Sequence, residues 1–356
     1  MKVISGGKNA NRPIAIWLLI GVCMIVIQIA LGGITRLTGS GLSITEWNVV
    51  TGTLPPTTEA KWQEEYMKYQ QTPQYRLLNF DFKLEDFKYI FFWEWFHRFW
   101  ARLMGLVFAV GFVYFLVRRK FTAIMLQPLI TLFILGALQG AVGWIMVASG
   151  LEGDAIYVKP TRLALHFIFA MGLLCYTFWF AMALLIDKNE IVHHPKLPRF
   201  TAGLLGLLVV QLLYGALMAG HKAATAAPTW PTINGEIIPS SLFTHQPFWI
   251  NFIDNTTLIH FVHRNLAYLL SILILLYSLQ LLKLKGKKLF KQIKWVPLFL
   301  VIAQVLLGIF SILKSNKIVP NQWGSFEWLA QIHQLTGMLL LLSLVLLQYV
   351  VKRTKI

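Results

Sequence analysis

The sequence predicts an all-α membrane protein with eight transmembrane helices arranged as two parallel-repeat four-helix bundles. Three observations carry that fold. Hydrophobic residues make up 56% of the 356-residue chain and charged residues 13%, where a soluble domain is about a quarter charged; mean hydropathy is +0.61. Eight apolar runs approach the roughly 20 residues that cross a hydrocarbon core. A set of short motifs in the first half returns in the same order in the second.

The eight runs lie at about 13–34, 89–117, 121–148, 163–186, 200–220, 258–282, 295–313 and 329–351. The first is too long and unbroken for a cleavable signal peptide, and neither a small-residue cleavage site nor an Arg- and Ser-rich import presequence is visible. The net charge of +17 sets orientation rather than a nucleic-acid partner. With the N-terminus inside, 18 of the 32 Lys and Arg fall on five short inner segments. They run from Lys2, Lys8 and Arg12, through 118–120, 188–199 and 283–294, to Lys352, Arg353 and Lys355. That is the positive-inside bias, and it leaves the loops 35–88 and 221–257 outside. Cys23 and Cys175 lie in apolar runs with no zinc or redox spacing and read as small buried hydrophobes.

The repeat is read from positions. Gln28-x₃-Gly32 in the first run is answered by Gln211-x₃-Gly215 in the fifth, and the same offset carries Trp47 to Trp230 and Gly52 to Gly235. His97-Arg98 returns as His263-Arg264, and His166 as His333. Gln139-x₃-Gly143 and Gln304-x₃-Gly308 repeat the first signature in the third and seventh runs. An even number of helices per half keeps both copies in one orientation. The charged stretch 187–199 is the natural joint, giving halves 1–190 and 191–356, each a bundle suited to hold a cofactor between helices.

Of nine histidines, His193, His194 and His245 read as loop residues and His221 as interfacial. His97, His166, His263 and His333 fall near the outer ends of the second, fourth, sixth and eighth runs, where an ionisable residue is a functional hypothesis. Four residues on stand Ala101, Ala170, Ala267 and Gly337, on the same helix face as each histidine. Small residues beside paired imidazoles suit a flat, iron-centred ring, so His97 with His166 and His263 with His333 are candidate haem ligands. A single membrane histidine more often bonds a neighbouring helix; four in equivalent places favour ligation. No Cys or carboxylate completes a tetrahedral zinc set. Arg98, Arg162 and Arg264 lie beside these histidines, placed either to hold haem propionates or to snorkel to headgroups.

Glu94 stands three residues before His97, and His260 holds the matching place in the second half. Spacing allows Glu94 a catalytic role as general base or stabiliser of developing positive charge. It equally allows an i,i+4 ion pair with Arg98. The asymmetry favours chemistry in the first half and electron transfer in the second. In the outer loop, Trp62, Tyr66 and Tyr69 at i, i+4, i+7 predict a short amphipathic helix on the membrane surface.

The motifs "GGITRLTGSGLSITEWNVVTGTLPP", "FFWEWFHR", "RLALHFIFA", "TWPTINGEIIP", "FVHRNLAY" and "IHQLTG" together resemble the heme A synthase family over roughly 14–345. The loops lack a cysteine pair, as in the branch shared by Gram-negative bacteria and mitochondria. The resemblance implies oxidation of the heme O C8 methyl to a formyl group, giving heme A for cytochrome oxidase. It puts the substrate haem on His97 and His166, heme b on His263 and His333, and makes Glu94 the essential glutamate. His260 departs from the glutamine expected there. Expected partners are heme O, membrane lipid and an electron donor the sequence does not name, with heme O synthase and a second copy of the chain as candidates. The expected location is a bacterial inner membrane, both termini cytoplasmic. Two alternatives stay open on the residues alone: a di-haem quinol or cytochrome oxidoreductase, and a haem-binding transporter or assembly factor.

Overall fold

The computed structural model describes residues 8–46, 54–319 and 322–354. Trp47, Gly52, Lys2 and Lys355, used above for the repeat and the charge pattern, lie outside the described residues. Eight helices are long and apolar enough to cross a membrane. They are α1 (Lys8–Leu37), α2 (Leu84–Val117), α3 (Ala123–Ala148) and α4 (Pro160–Leu185), then α5 (Leu197–Gly220), α6 (Thr256–Leu282), α7 (Val296–Lys314) and α8 (Ser325–Val350).

Local chemistry sets their ends. Proline stands at the first or second position of α4, α5 and α7, where its missing N–H costs no helical bond. The Asn255 side chain accepts from the Thr257 and Leu258 amides to start α6. Glu327 accepts from the Gly324 amide at 2.8 Å to start α8.

Helix packing follows one plan in each half. α1 packs on α2 and α4, and α3 on α4; likewise α5 packs on α6 and α8, and α7 on α8. The halves join through α4–α5, α1–α8 and α4–α8. In lipid such contacts rest on close packing and interhelical hydrogen bonds rather than on the hydrophobic effect. Both are present at the seam. Val22, Ile25 and Ile29 of α1 share one buried cluster with Leu174 of α4, Leu208 of α5 and Leu344 of α8. The Gln331 and Gln334 amides donate to the carbonyls of Ala30 and Ile29, each at 3.0 Å.

Two details differ from the sequence reading. The helix Glu59–Gln70 forms, but its aromatic face is spent on protein. Trp62 packs edge-on to Phe87 and Phe91 at the outer end of α2, and Tyr69 stacks on Phe87 and is fully buried. An α2 that starts at Leu84, a full turn before its apolar run, offers the partner surface. The joint 187–199 is also tied down. Val192–His193 pairs in parallel with Val351–Lys352, and His194 Nδ1 accepts from the Lys196 and Leu197 amides at the start of α5.

Candidate functional site

His97, His166, His263 and His333, with His260, line one cavity of about 1560 Å³ that runs between the two halves. A site for an ordinary small molecule occupies roughly 300–1,000 Å³. Around the histidines, glycine, alanine and glutamine face the cavity and leave room there. Ala101, Ala170, Ala267 and Gly337 all line it, as their spacing predicted.

Each histidine is seated on the Gln-x₃-Gly signature of the helix before it. Gly32, Gly143, Gly215 and Gly308 face the rings of His97, His166, His263 and His333. A Cβ on any of them would stand only 2.8 to 3.2 Å from the imidazole Cε1. The glutamine one turn earlier completes the seat. Gln28 Nε2 lies 3.1 and 3.4 Å from the two ring nitrogens of His97 and donates to the His97 carbonyl at 3.2 Å. Gln139 treats His166 in the same way, at 3.3, 3.2 and 3.2 Å. Gln211 and Gln304 place their amide nitrogens 3.4 and 3.2 Å from the Nε2 atoms of His263 and His333.

The tautomer follows at His333. Its Nδ1 is 3.1 Å from the Gln304 carbonyl, an acceptor only, so the proton sits on Nδ1; the Nε2 lone pair faces the Gln304 amide nitrogen at 3.2 Å here and is the one that would turn to a metal. His263 and His333 have ring centroids 6.4 Å apart. A metal–imidazole bond of about 2.0 Å plus about 1 Å from nitrogen to ring centre, taken twice, spans roughly 6 Å, so one metal fits between these rings. The Oε1 atoms of Gln28, Gln139, Gln211 and Gln304 are all buried without a hydrogen-bond partner among the described residues. Four equivalent orphans around one cavity fit a bound group with its own donors or polar edge. The spacing of His263 and His333 therefore suits a haem, and His97 and His166 stand on the same Gln-x₃-Gly seats.

Glu94 is 3% exposed and held on both carboxylate oxygens. One carboxylate oxygen accepts from Arg98 at 2.6 Å; the other accepts from the Ser43 hydroxyl at 2.7 Å and the Ile44 amide at 2.9 Å. The i,i+4 pair and the cavity-facing position thus coexist. In the second half Arg264 makes the same reach to His260 Nε2 at 3.0 Å and donates to the carbonyls of Thr229, Pro231 and Thr232. Arg98 likewise donates to the carbonyls of Ile44 and Glu46. Each arginine clamps an outer loop over its half of the cavity, and only the partner three residues before the histidine changes.

Residues 15–345 match the family model COX15-CtaA, described as cytochrome oxidase assembly protein. The chain belongs to this family. Among curated relatives it is 44% identical over 273 residues to "Heme A synthase" of Paracoccus denitrificans, covering 75% of this chain and 72% of that protein. It is 39% identical over 345 residues to the protein of that name from Flavobacterium johnsoniae, covering 94% and 96%. The Methylobacterium radiotolerans protein of that name is 40% identical over 344 residues, covering 96% and 90%.

In this member of the cytochrome oxidase assembly family, His97, His166, His263, His333, Glu94, Arg98 and Arg264 all meet at the cavity. Arg162 does not line it; its guanidinium donates to the Ile145 carbonyl at the end of α3, at 3.0 Å. Two features escaped the sequence reading. Gln-x₃-Gly was seen only as a repeat marker, although its four copies equal the four histidines in number. Arg102, one turn inside Arg98, also lines the cavity, and its matching place in the second half is Tyr268. An intramembrane cation present in one copy only was the available signal.

Proposed function

We propose that the chain converts heme O to heme A by oxidising the C8 methyl group to a formyl group, a four-electron change that adds one oxygen. The observation that carries this reading is the asymmetry between two otherwise equivalent histidine seats. Each half has its Gln-x₃-Gly pairs, its two histidines and its loop-clamping arginine, but only the first half has a carboxylate one turn before its His-Arg pair, Glu94, where the second has His260; the second-half Glu327 caps the start of α8 instead. Relatives named "Heme A synthase" at about 40% identity over most of the chain agree with it.

In this reading the chain is a duplicated four-helix unit. Residues 1–190 hold the substrate haem between His97 and His166, and residues 191–356 hold a heme b between His263 and His333. Heme b supplies a one-electron relay when bound. The protein's own part is electrostatic and positional. The glycines let each ring reach the neighbouring helix, the glutamines hold it there, and at His333 the Gln304 carbonyl fixes the tautomer. Glu94 is held at the substrate edge by three donors, so its negative charge is fixed in place before positive charge develops at the methyl carbon, without reorganisation during the reaction. The lone pair that these three donors leave over can take a proton from that carbon. Arg98 and Arg264 stand at the outer rim, where propionates of an amphiphilic haem would face water; Arg162 stands at the same rim behind α3.

The charge distribution supports a bacterial inner membrane with both termini cytoplasmic. The test is product analysis. The chain is expressed with a heme O source and the extracted haems are separated by chromatography. Heme A is the expected product; heme O taken up and returned unchanged would remove this function.

A further inference from the structure

The two halves differ again on the lipid side of their cavities. In the second half α6 packs along α7, closing the seam between them; in the first half α2 and α3 meet through the rings of Phe108, Phe112 and Phe133 toward their inner ends, and their backbones do not pack closely along the outer part. The side chains explain the difference. Lining the cavity along the α2–α3 seam are Gly105, Gly136, Ala137 and Gly140. A Cβ added at any of the three glycines would meet nothing within 4 Å. Aligning His97 with His263 and Gln139 with Gln304, the same places in the second half hold Ser271, Val301, Ile302 and Val305. Val301 is buried, 6% exposed, and fills what the glycines leave open. The seats that hold the histidines are meanwhile alike in both halves.

An asymmetry confined to the lateral wall bears on access rather than on ligation. Resting on the substrate reading above, we propose that the α2–α3 seam is a lateral portal. Through it heme O enters from the bilayer and heme A returns, with the prenyl tail lying across Gly105, Gly136 and Gly140. The occupant follows from the wall's chemistry. The cavity is polar at its outer end, where Glu94, Arg98 and His97 stand, and apolar where the seam meets hydrocarbon. A flat ring with acidic groups at one edge and a long hydrocarbon tail matches that division, and burying the tail in lipid leaves no apolar surface in water. The closed α6–α7 seam suits a haem that is never exchanged.

The test transplants one wall onto the other. Full-length protein carrying Gly136→Val with Gly140→Val is mixed with lipid vesicles containing heme O, and uptake is followed by chromatography of the bound haems. Valine is not a worse helix former than glycine, and heme b content reports the fold of the other half. Heme O uptake is expected to slow by at least about tenfold, as small hydrophobic changes at a fitted wall do, while heme b stays at the wild-type level. Uptake at the wild-type rate in that variant would overturn the portal. If heme b is lost as well, the reciprocal protein, Val301→Gly with Val305→Gly, decides. Transfer of its heme b to excess apomyoglobin must accelerate by at least about tenfold, and an unchanged rate overturns the proposal. A wild-type protein that takes up no heme O at all defeats the substrate reading itself, which separates the two failures.

Discussion

Gly143→Ala separates a helix effect from a site effect with one methyl group. Alanine inside a helix is favoured over glycine by about 0.8–1 kcal/mol, so α3 alone gains stability. The new Cβ, however, falls 2.8 Å from His166 Cε1 and 3.3 Å from Nδ1. Carbon atoms pack best at about 3.5–4.0 Å, so the ring must retreat by roughly 0.7 Å. Productive ligand geometry tolerates about 0.5 Å. The displaced imidazole also loses the approach that seats it against α3. Loss of such support costs about 10–100-fold in affinity, or about 1.4–2.7 kcal/mol. Wild type, Gly143→Ala and Gly206→Ala are purified in detergent, and haem per chain and thermal unfolding are measured. Gly206→Ala adds the same methyl where nothing stands within 4 Å, so it should keep its haem. Gly143→Ala should melt no earlier than wild type without haem and bind the first-half haem at least tenfold more weakly. Wild-type haem affinity in Gly143→Ala would refute the seat.

Three further outcomes are expected. Glu94→Ala leaves Arg98, Ser43 and the Ile44 amide without their shared acceptor, which should cost about 3–5 kcal/mol of stability. Glu94→Gln keeps an acceptor and should cost less, yet both variants should bind haem and make no heme A, as chromatography of extracted haems will tell. His260→Glu places a carboxylate four residues before Arg264, recreating the first-half pair. The added negative charge should lower the midpoint potential of the second-half haem in a spectroscopic redox titration, and no shift would contradict its proximity. In the outer helix Glu59–Gln70, burial pushes the phenols of Tyr69 and Tyr66 up to about 12. A raised folded-state value favours the neutral phenol, so this packing is fully stable below the ordinary value of about 10 and weakens as pH climbs from there toward 12. Limited proteolysis of the 54–83 loop should accelerate in that window, and less so in Tyr69→Phe.

Hydropathy by itself determined the eight spans, because a bilayer demands an apolar length whatever the tertiary fold, and the charge pattern set the expected orientation. The four histidines and Glu94 were legible for the same reason: an ionisable group in hydrocarbon is costly and stands out. The glutamine–glycine signature was visible as a pattern but silent as chemistry, since its meaning lies in a ring from the next helix resting on a missing side chain. The helix 59–70 showed its apolar stripe, but periodicity cannot say whether lipid or protein covers it, and Phe87 and Phe91 decided for protein. Arg98 carried two readings on spacing alone. Only the folded loop, bringing Ser43, Ile44 and the Glu46 carbonyl over α2, made the ion pair and the cavity position one arrangement. Contacts between residues some 50 to 300 positions apart depend on helix packing, and packing depends on side-chain shapes taken together. That is why the inventory of the site was written in the chain, and its seats, clamps and open wall were decided by the tertiary structure.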